Sequence, residues 1–334
     1  MPELVVATGE ELVRLQALGS RWRASKLSAG RGMRCLAADP RNPDVLYAGS
    51  RGEGVWKSAS RGRDWARLDF PEADVFSLAV SAVDGAVYAG TEPSKLFVSR
   101  DEGRSWQELR ALQDIPSRPT WSFPPRPWTS HVRSIAPSPH DARLLLAGIE
   151  LGGLMRSEDG GATWSDHRPG ARKDVHALAW HPAVPGRAYE AGGGGAAWSR
   201  DGGLTWQAAD EGRDRHYTWG LAVDPDDPDR WYLSANPSAR LAHYGEQSAE
   251  AYLYRWRGDG PWEVLGGGLP QPLDSFPYAL AAGGDSAAGG DSLFTGLGDG
   301  RLYRSEDGGD HWVQMDIGAD GPTSVLELIL IRGS

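Results

Sequence analysis

The stretch SEDGGATW at residues 157–164 decides how this chain folds, because similar stretches recur along the sequence. They are SRDEGRSW at 99–106, SRDGGLTW at 199–206 and SEDGGDHW at 305–312, and all share the pattern S-x-D-x-G-x-x-W. The Asp side chain is expected to accept hydrogen bonds from backbone N–H groups two residues further on, and the Gly supplies a positive φ. The Trp then opens the next strand with a large apolar ring. The pattern predicts a hairpin connector, and its repetition predicts a modular fold.

The residues before each connector carry further strand signals. In the first complete unit, stretches typical of strands at 33–40, 45–49 and 54–58 are separated by turns and loops. A degenerate connector follows at 58–65, with Ser60 at the Asp position, and a fourth strand comes after it. Four short antiparallel strands of this kind form one blade of a β-propeller.

The sequence as a whole predicts an all-β protein, a seven-bladed β-propeller with four antiparallel strands in each blade. The C-terminal run 324–330 matches a first strand, and the N-terminus supplies the other three strands of the same blade. Sharing one blade between both termini closes the ring and removes free strand edges. A single domain over 1–334 is expected, with blades at approximately 324–334 plus 1–27, 33–70, 74–112, 130–170, 174–212, 216–270 and 275–318.

The repeated stretches resemble the Asp box, or BNR repeat, of sialidases, sortilin-type receptors and bacterial WD40/YVTN/BNR-like propeller proteins. In that family the box joins the third and fourth strands of a blade and lies away from the catalytic face. The resemblance therefore implies structural roles for Asp101, Asp159, Asp201 and Asp307. It does not imply sialidase activity, because sialidases resemble six-bladed propellers with an early Arg-Ile-Pro signature, and that signature does not occur in this sequence.

Composition restricts the classes of function. The net charge of −10 over 334 residues argues against a nucleic-acid or membrane-surface partner. The only cysteine, Cys35, allows no intrachain disulfide. Because the sequence shows no signal peptide, no bilayer-spanning stretch and no nucleotide-binding motif, we expect a cytoplasmic protein without a cofactor.

Three units are longer than the others, and their extra residues lie in loops. Residues 113–129, QDIPSRPTWSFPPRPWT, connect a fourth strand to the next first strand, and residues 236–251, NPSARLAHYGEQSAEA, connect a second strand to a third. In an up-and-down blade, both kinds of loop lie on the face opposite the S-x-D-x-G-x-x-W turns. The two inserts should therefore rise over one mouth of the central channel, where binding residues concentrate. Residues 283–291, GGDSAAGGD, are expected to form a flexible turn on the other face.

Aligning the first strands of the seven units places equivalent residues around the channel. One position is apolar throughout, as expected for a core between blades: Leu36, Leu78, Ile135, Leu178, Leu221, Leu280 and Leu328. Two residues earlier the position is mixed, with charged and aromatic side chains: Arg34, Phe76, Arg133, His176, Trp219, Tyr278 and Leu326. The next position toward the same strand end is also mixed: Gly32, Asp74, His131, Asp174, Tyr217, Phe276 and Ser324. This change predicts the end of the core and the beginning of a surface that faces the mouth.

The side chains at the mouth suit a polar or anionic ligand. Arg34 and Arg133 can each bind a carboxylate or phosphate, and two like charges in one channel favour an anion between them. Further ligand-binding candidates are His176 and the aromatic or basic residues Tyr217, Trp219, Tyr278, Trp121, Arg126 and Trp128. If the protein is an enzyme, the catalytic candidates are Asp74, Asp174, His131, His176, Glu92 and Glu150.

The alternative is that these charges only connect neighbouring blades. In that case Arg34 pairs with Asp74, and Arg133 pairs with Asp174, so no ligand is required.

Three functions are compatible with such a mouth. The first is a soluble propeller that binds a small ligand or a partner without catalysis, because the sequence contains no recognisable catalytic motif. The second is a glycoside hydrolase-like or lyase-like enzyme, although the Asp-box xyloglucanases pair two propellers. The third is an assembly or scaffold factor, since seven-bladed members of this group resemble the photosystem II assembly protein. A metal site is not expected, because His216 lies out of the alternating register of His131 and His176.

The substitution Asp159→Ala tests the structural role of the turns. Loss of the turn-closing hydrogen bonds should lower the free energy of unfolding by about 1–2 kcal/mol. Affinity for a ligand at the mouth should stay nearly unchanged, because the turn lies on the opposite face. Chemical denaturation and ligand titration of the variant measure both effects. A large loss of affinity with unchanged stability would contradict the assignment of the two faces.

Overall fold

A computed structural model describes residues 2–27, 29–123, 129–244, 248–258, 260–283 and 292–331. The chain forms seven antiparallel sheets, and six of them use strands that are consecutive in sequence. The first strands of neighbouring sheets contact each other in order, and that of the last sheet contacts that of the first. The sheets therefore close into a ring, which confirms the predicted all-β, seven-bladed propeller.

The strands follow one another blade by blade along the chain. The first three belong to blade seven: β1 (Glu3–Ala7), β2 (Leu12–Leu18) and β3 (Arg21–Lys26). Blade one contains β4 (Met33–Ala38), β5 (Leu46–Ser50), β6 (Val55–Ser58) and β7 (Ala66–Arg67). Blade two contains β8 (Val75–Val80), β9 (Val87–Thr91), β10 (Leu96–Ser99) and β11 (Gln107–Glu108). Blade three contains β12 (Val132–Pro137), β13 (Leu145–Ile149) and β14 (Gly153–Ser157), and a bridge between Arg156 and Ser165 takes the place of its fourth strand.

The remaining blades complete the ring. Blade four contains β15 (Val175–Trp180), β16 (Ala188–Gly192), β17 (Gly195–Ser199) and β18 (Gln207–Ala208). Blade five contains β19 (Tyr217–Val223), β20 (Arg230–Asn236), β21 (Tyr252–Arg257) and β22 (Glu263–Leu265). Blade six contains β23 (Pro277–Ala282), β24 (Leu293–Leu297), β25 (Leu302–Ser305) and β26 (Val313–Gln314), and β27 (Glu327–Ile331) is the innermost strand of blade seven.

Helices are few and short. Two 3-10 helices occur among the described residues: Arg110–Asp114 ends at the start of the first insert, and Arg118–Thr120 lies within it. The second insert contains α1 (Ala239–Tyr244). No helix in the described ranges has the length and apolar character needed to cross a membrane. The insert expected at 283–291 lies outside the described residues, apart from Gly283.

Blade seven joins both ends of the chain, as the terminal segments predicted. Its strands lie in the order β27-β1-β2-β3. β27 pairs antiparallel with β1, from Ile331 opposite Glu3 to Glu327 opposite Ala7. The centre of β1, Leu4, Val5 and Val6, is fully buried. β27 also contacts β23 of blade six and β4 of blade one. The pairing with β1 therefore completes blade seven and closes the ring between its two neighbours.

The S-x-D-x-G-x-x-W turns join third and fourth strand positions, with a hydrogen-bond pattern that differs in detail from the prediction. The Ser157 hydroxyl donates to Asp159 Oδ1 at 2.8 Å and accepts the N–H of Gly161 at 2.9 Å. Asp159 accepts the N–H of Thr163 at 2.8 Å and its hydroxyl at 2.6 Å. The Asp partner is therefore four residues on, not two, because the serine hydroxyl takes the nearer N–H groups. The same network occurs around Asp101, Asp201 and Asp307.

Glycines in second strands allow neighbouring blades to approach closely. A Cβ on Gly148 in β13 would lie 2.3 Å from Cγ1 of Val175, the first residue of β15 in the next blade. A Cβ on Gly90 in β9 would likewise lie 2.7 Å from Val132, the first residue of β12. At these positions the valine of one blade occupies the space above the glycine of the preceding blade, so the interface between blades depends on the missing side chain.

The substitution Gly148→Ala tests this packing. The added methyl group should force Val175 or the strand to move and lower the free energy of unfolding by about 1–3 kcal/mol. Gly194→Ala is the matched control, because nothing beyond its two chain neighbours lies within 4 Å of a Cβ built there. Thermal and denaturant unfolding of both variants gives the comparison. Equal stability of the two variants would show that the glycine is not needed for close contact between blades.

Candidate functional site at the mouth of the channel

The charged and aromatic ring predicted from the first strands is built on β-bulges. Six first strands change register at the same point, which leaves one extra residue, or two in β19, without a ladder partner. These bulged positions hold the ring residues Arg34, Phe76, Arg133, His176, Trp219 and Tyr278. A bulge redirects the side chain it carries. The ring position therefore differs from an ordinary strand position in backbone as well as in side chain.

Residues from all seven first strands line one cavity of about 250 Å³ in the central channel. Ring residues in its wall include Arg133, His176, Trp219 and Tyr278. The first-strand position that is apolar in all seven units also reaches this wall, with Leu178 and Leu280 among its members. These residues were expected to pack only between blades. They contact the buried clusters between blades and also form the apolar lower part of the channel.

A chain of ionisable groups connects two second-to-third loops across blades two and three. His131 Nε2 lies 2.6 Å from Glu150 Oε2, and His131 Nδ1 lies 3.5 Å from Glu92 Oε2. Arg133 Nε is 3.6 Å from the same Glu150 oxygen. His131, Glu92 and Glu150 are all buried. Burial alone would raise the pKa of Glu150, but the hydrogen bond from His131 and the surrounding positive charges, including Arg133, lower it to about 2.

Aromatic rings enclose His131 from two sides. Phe76 stacks on its imidazole at a centroid distance of 3.9 Å, and Phe123 of the first insert meets it edge-on at 4.8 Å. The guanidinium carbon of Arg34 lies 3.9 Å from the centre of the Phe76 ring. Burial lowers the pKa of Arg34, and the positive charge of Arg133 lowers it further. The positive charge of Arg133 therefore acts on Arg34.

His176 is held by the backbone of the next blade. Its Nδ1 lies 2.6 Å from the carbonyl oxygen of Thr218, and a carbonyl only accepts, so Nδ1 carries the proton. Its Nε2 lies 3.5 Å from Asp174 Oδ2. The Asp174 carboxylate also accepts the N–H of Leu151 at 3.3 Å. Among the described residues, one group has the spacing to hold a metal ion: Glu150, Asp174 and His176, whose ligand atoms lie within 4.8 Å of one another.

The opposite side of the mouth is an aromatic wall closed by α1. The Tyr278 hydroxyl donates to the Ala242 carbonyl at 2.8 Å, so it accepts from His243 Nδ1 at 3.0 Å. His243 Nε2 then accepts from the Tyr217 hydroxyl at 2.7 Å. Trp219 lies between these rings and the arginine side, with the guanidinium carbon of Arg133 at 4.6 Å from its centre. The second insert thus covers the mouth, as predicted.

The structure corrects the proposed pairing between blades. Within the described ranges, no ion pair joins Arg34 to Asp74 or Arg133 to Asp174. Arg133 instead approaches Glu150, Asp174 faces His176, and Arg34 stacks on an aromatic ring. The bulges explain the difference, because they turn the ring side chains away from the strand direction that the sequence alignment assumed.

The first insert also differs from expectation. Trp121 is buried with only 6 % of its surface exposed, and its indole N–H donates to Ser117 Oγ at 3.1 Å. It packs with Leu112 and Ile115 in the core between blades, because the 3-10 helices fold the insert back onto the blade. It does not belong to the cavity wall. Arg126 and Trp128 lie outside the described residues.

Three residues at the site were missed by sequence reasoning. Phe123 and His243 lie on the inserts, whose folding no repeat predicts. Glu327 carried a detectable signal, since it occupies a first-strand position that holds only small residues in the other blades: Cys35, Ser77, Ser134, Ala177, Gly220 and Ala279. Its carboxylate accepts the N–H of Leu36 at 3.1 Å across the junction of blades seven and one. Although Glu327 is half-buried as a residue, its carboxyl group is enclosed, and burial raises its pKa to about 7 against the effect of Arg133.

Two curated proteins match part of this chain in sequence. No protein-family model matches the chain. A probable oligoxyloglucan-reducing end-specific xyloglucanase of Neosartorya fischeri is 26% identical over 230 residues, which cover 62% of this chain and 24% of that protein. An Emericella nidulans oligoxyloglucan-reducing end-specific xyloglucanase is 31% identical over 94 residues, 26% of this chain and 12% of that protein. The chain thus spans about a quarter or less of the length of these two curated relatives.

Solved structures support the fold. The GH74 xyloglucanase from Xanthomonas campestris superimposes with a TM-score of 0.64 at 19% identity, covering 92% of this chain and 46% of that one. YCF48 bound to D1 peptide gives a TM-score of 0.57 at 18% identity, covering 85% and 80%. YCF48 from Cyanidioschyzon merolae gives 0.59 at 11% identity, covering 89% and 94%. At these identities the likeness establishes a shared propeller architecture.

The substitution Glu327→Gln tests the enclosed carboxyl group through pH dependence. A folded-state pKa of about 7, above the ordinary 4.5, means that the folded protein retains a proton which the unfolded chain releases. Stability should therefore fall as pH rises from 4.5 to 7 and level off above it. Gln stays neutral and keeps an oxygen for the Leu36 N–H, so the variant should gain in melting temperature relative to wild type as pH rises.

Melting curves at pH 5 and pH 8 measure this gain, with the solvent-exposed Glu211→Gln as the matched control. The gain for Glu327→Gln should be present at pH 8 and nearly absent at pH 5. A difference that is the same at both pH values, or a loss of stability at pH 8, would refute the enclosed neutral carboxyl group.

Proposed function

We propose that this protein is an Asp-box propeller that binds a small polar ligand bearing an anionic group at the mouth of its channel, without catalysis. The observation that carries the proposal is the state of Arg133. Its side chain is 21% exposed, lines the cavity and stacks on Trp219. Its nearest carboxylate oxygen, on Glu150, is 3.6 Å away, which is too long for a hydrogen bond. Within the described contacts its guanidinium donors remain available to an acceptor in the cavity.

The surroundings of Arg133 suit recognition of a ligand with both a flat and a charged part. Trp219 and Tyr278 form an aromatic wall in the same cavity, on which a sugar ring or another planar group can stack. Arg34 adds a second positive charge near Arg133, and mutual repulsion between them is relieved when an anion binds. The arginines and the aromatic residues all lie on first strands of the blades. The geometry is therefore preorganised, and little side-chain entropy is lost on binding. A carboxylated sugar has both a ring that can stack on the aromatic wall and an anionic group that the two arginines can bind.

A protein partner can offer the same chemistry through an acidic side chain or a C-terminal carboxylate. The similarity in fold and length to YCF48, one structure of which contains D1 peptide, supports keeping a peptide among the candidate ligands. The narrow cavity of about 250 Å³ admits a side chain or chain end and favours a small ligand over a folded surface.

Carbohydrate hydrolysis is the second candidate. Its support is the sequence similarity to a probable xyloglucanase, together with the ionised carboxylate of Glu150 and the raised pKa of Glu327 in one channel. Glycosidases use such a difference in pKa between two carboxyl groups. Both groups are however held by other partners, Glu150 by His131 and Glu327 by the backbone of Leu36. Release of reducing ends from xyloglucan oligosaccharides, abolished by Glu150→Gln, would favour the hydrolase over the binding protein.

Binding of D-glucuronate and D-glucose provides the direct test, because the two sugars differ only in a carboxylate and a hydroxymethyl group. Isothermal titration at pH 7 should give tighter binding of glucuronate. Arg133→Ala should weaken glucuronate binding by about 1.5–3 kcal/mol and remove the preference, because a charged hydrogen bond in a partly desolvated site is lost.

Arg143→Ala is the matched control. Arg143 is 75% exposed and pairs with Asp141 away from the mouth, so glucuronate binding should be unaffected. If Arg133→Ala and Arg143→Ala bind glucuronate equally, or if wild type does not distinguish the two sugars, recognition of an anionic group by Arg133 is wrong.

A further inference from the structure

We propose that Glu150, Asp174 and His176 bind a divalent transition-metal ion, of the Zn²⁺ or Mn²⁺ class, at the junction of blades three and four. The sequence alone predicts no metal site, because His216 lies out of the alternating register of His131 and His176. The structure instead brings one histidine together with carboxylates from a different loop and from a strand start. This proposal does not depend on the organic ligand proposed above.

The main observation is the unpartnered nitrogen of His176. The residue is 3% exposed, and its Nε2 has no hydrogen-bond partner among the described residues. Nδ1 carries the proton, since it faces the Thr218 carbonyl at 2.6 Å. In the neutral ring, Nε2 therefore presents a lone pair, and it points toward a carboxylate oxygen of Asp174 only 3.5 Å away. Two lone pairs facing each other in a buried place repel unless a cation lies between them.

Each of the three side chains is oriented by a second contact, as metal ligands usually are. The Thr218 carbonyl fixes the tautomer and the ring plane of His176. The N–H of Leu151 fixes one oxygen of Asp174 at 3.3 Å. His131 fixes Glu150 at 2.6 Å. The arrangement therefore holds the ligand atoms in place before an ion binds, and one ligand atom from each residue lies within 4.8 Å of the others.

The charges and donor types indicate which ion is suitable. Two carboxylates meet at this junction. Glu150 is contacted by the His131 imidazole at 2.6 Å and approached by Arg133 at 3.6 Å, whereas the described contacts of the Asp174 carboxylate are the N–H of Leu151 and the His176 ring. Adding a dication compensates the remaining negative charge. One imidazole nitrogen with two carboxylate oxygens suits Zn²⁺, Mn²⁺ or Fe²⁺, whereas Mg²⁺ and Ca²⁺ prefer oxygen ligands alone. His176 also belongs to the cavity wall, so a further coordination position can face the channel.

Metal titration of the full chain, freed of metal with a chelator and free of any sugar, tests the proposal. Isothermal titration with Zn²⁺ and Mn²⁺ should show one site per chain, and Mg²⁺ should bind far more weakly. His176→Ala should weaken Zn²⁺ binding by about 100-fold or more. Asp174→Asn should also weaken it strongly, while it keeps the side-chain volume and an oxygen for the Leu151 N–H. Melting curves without metal show whether each variant is folded. If His176→Ala is not folded, Zn²⁺ binding by Asp174→Asn decides the test.

His311→Ala is the matched control, because His311 is 81% exposed beside Asp307 and represents an adventitious surface site. It should leave the high-affinity Zn²⁺ site intact. Anomalous diffraction at the zinc edge should place the ion among Glu150, Asp174 and His176. If wild type binds no transition metal, a proton shared by His176 and Asp174 takes the place of the ion, and the proposal is overturned. It is equally overturned if His311→Ala abolishes binding while Asp174→Asn retains it.

Discussion

The pairing of β27 with β1 is the constraint on which the rest of the structure depends. It joins residues from opposite ends of the chain, with Glu3 opposite Ile331 and Ala7 opposite Glu327. β27 is also the innermost strand of its blade and contacts the first strands of blades six and one. Without it, β1 would expose unpaired backbone groups, and the wall of the channel would be open on one side. Closure of the blade and closure of the channel are therefore one event.

The candidate site is a consequence of the same convergence. Seven first strands around one axis bring side chains from distant parts of the sequence into a small volume, and the bulges turn those side chains toward one another. The wall of the channel carries leucines such as Leu178 and Leu280 and also the carboxyl group of Glu327, whereas Arg133 and Glu150 lie toward the mouth. The inserts cover this layer, with Phe123 against His131 and His243 between two tyrosines. The polar groups are thus largely screened from solvent, which strengthens their interactions.

The architecture could be predicted from the sequence because it depends on repeated local physics. Each S-x-D-x-G-x-x-W turn closes with its own side chains, and apolar strands of similar length recur before it. The ring of Arg133, His176, Trp219 and Tyr278 followed from alignment of those repeats, and the structure places all four in one cavity.

The pairing of the charges could not be predicted in the same way. An alignment assigns a position along each strand, but a one-residue bulge alters the direction of the side chain. The sequence suggests Asp174 as the partner of Arg133, but Arg133 instead approaches Glu150, which lies on a loop. Trp121 is predicted at the mouth because it is an aromatic residue of an insert at that end of the channel, yet short helices fold it into the core. The inserts have no equivalent in the other repeat units, so their contacts could not be inferred by alignment. The position of His243 in the second insert could not be predicted for the same reason.

A high-resolution crystal structure of the purified chain, without added ligand, is the most direct test of the claim that the channel mouth is a binding site. The account predicts electron density from ordered water, an ion or a co-purified molecule in contact with the Arg133 guanidinium beside Trp219. A guanidinium group whose donors are all occupied by protein carboxylates, with Trp219 and Tyr278 closed over it, would contradict the account. In that case the mouth would be a structural junction between blades.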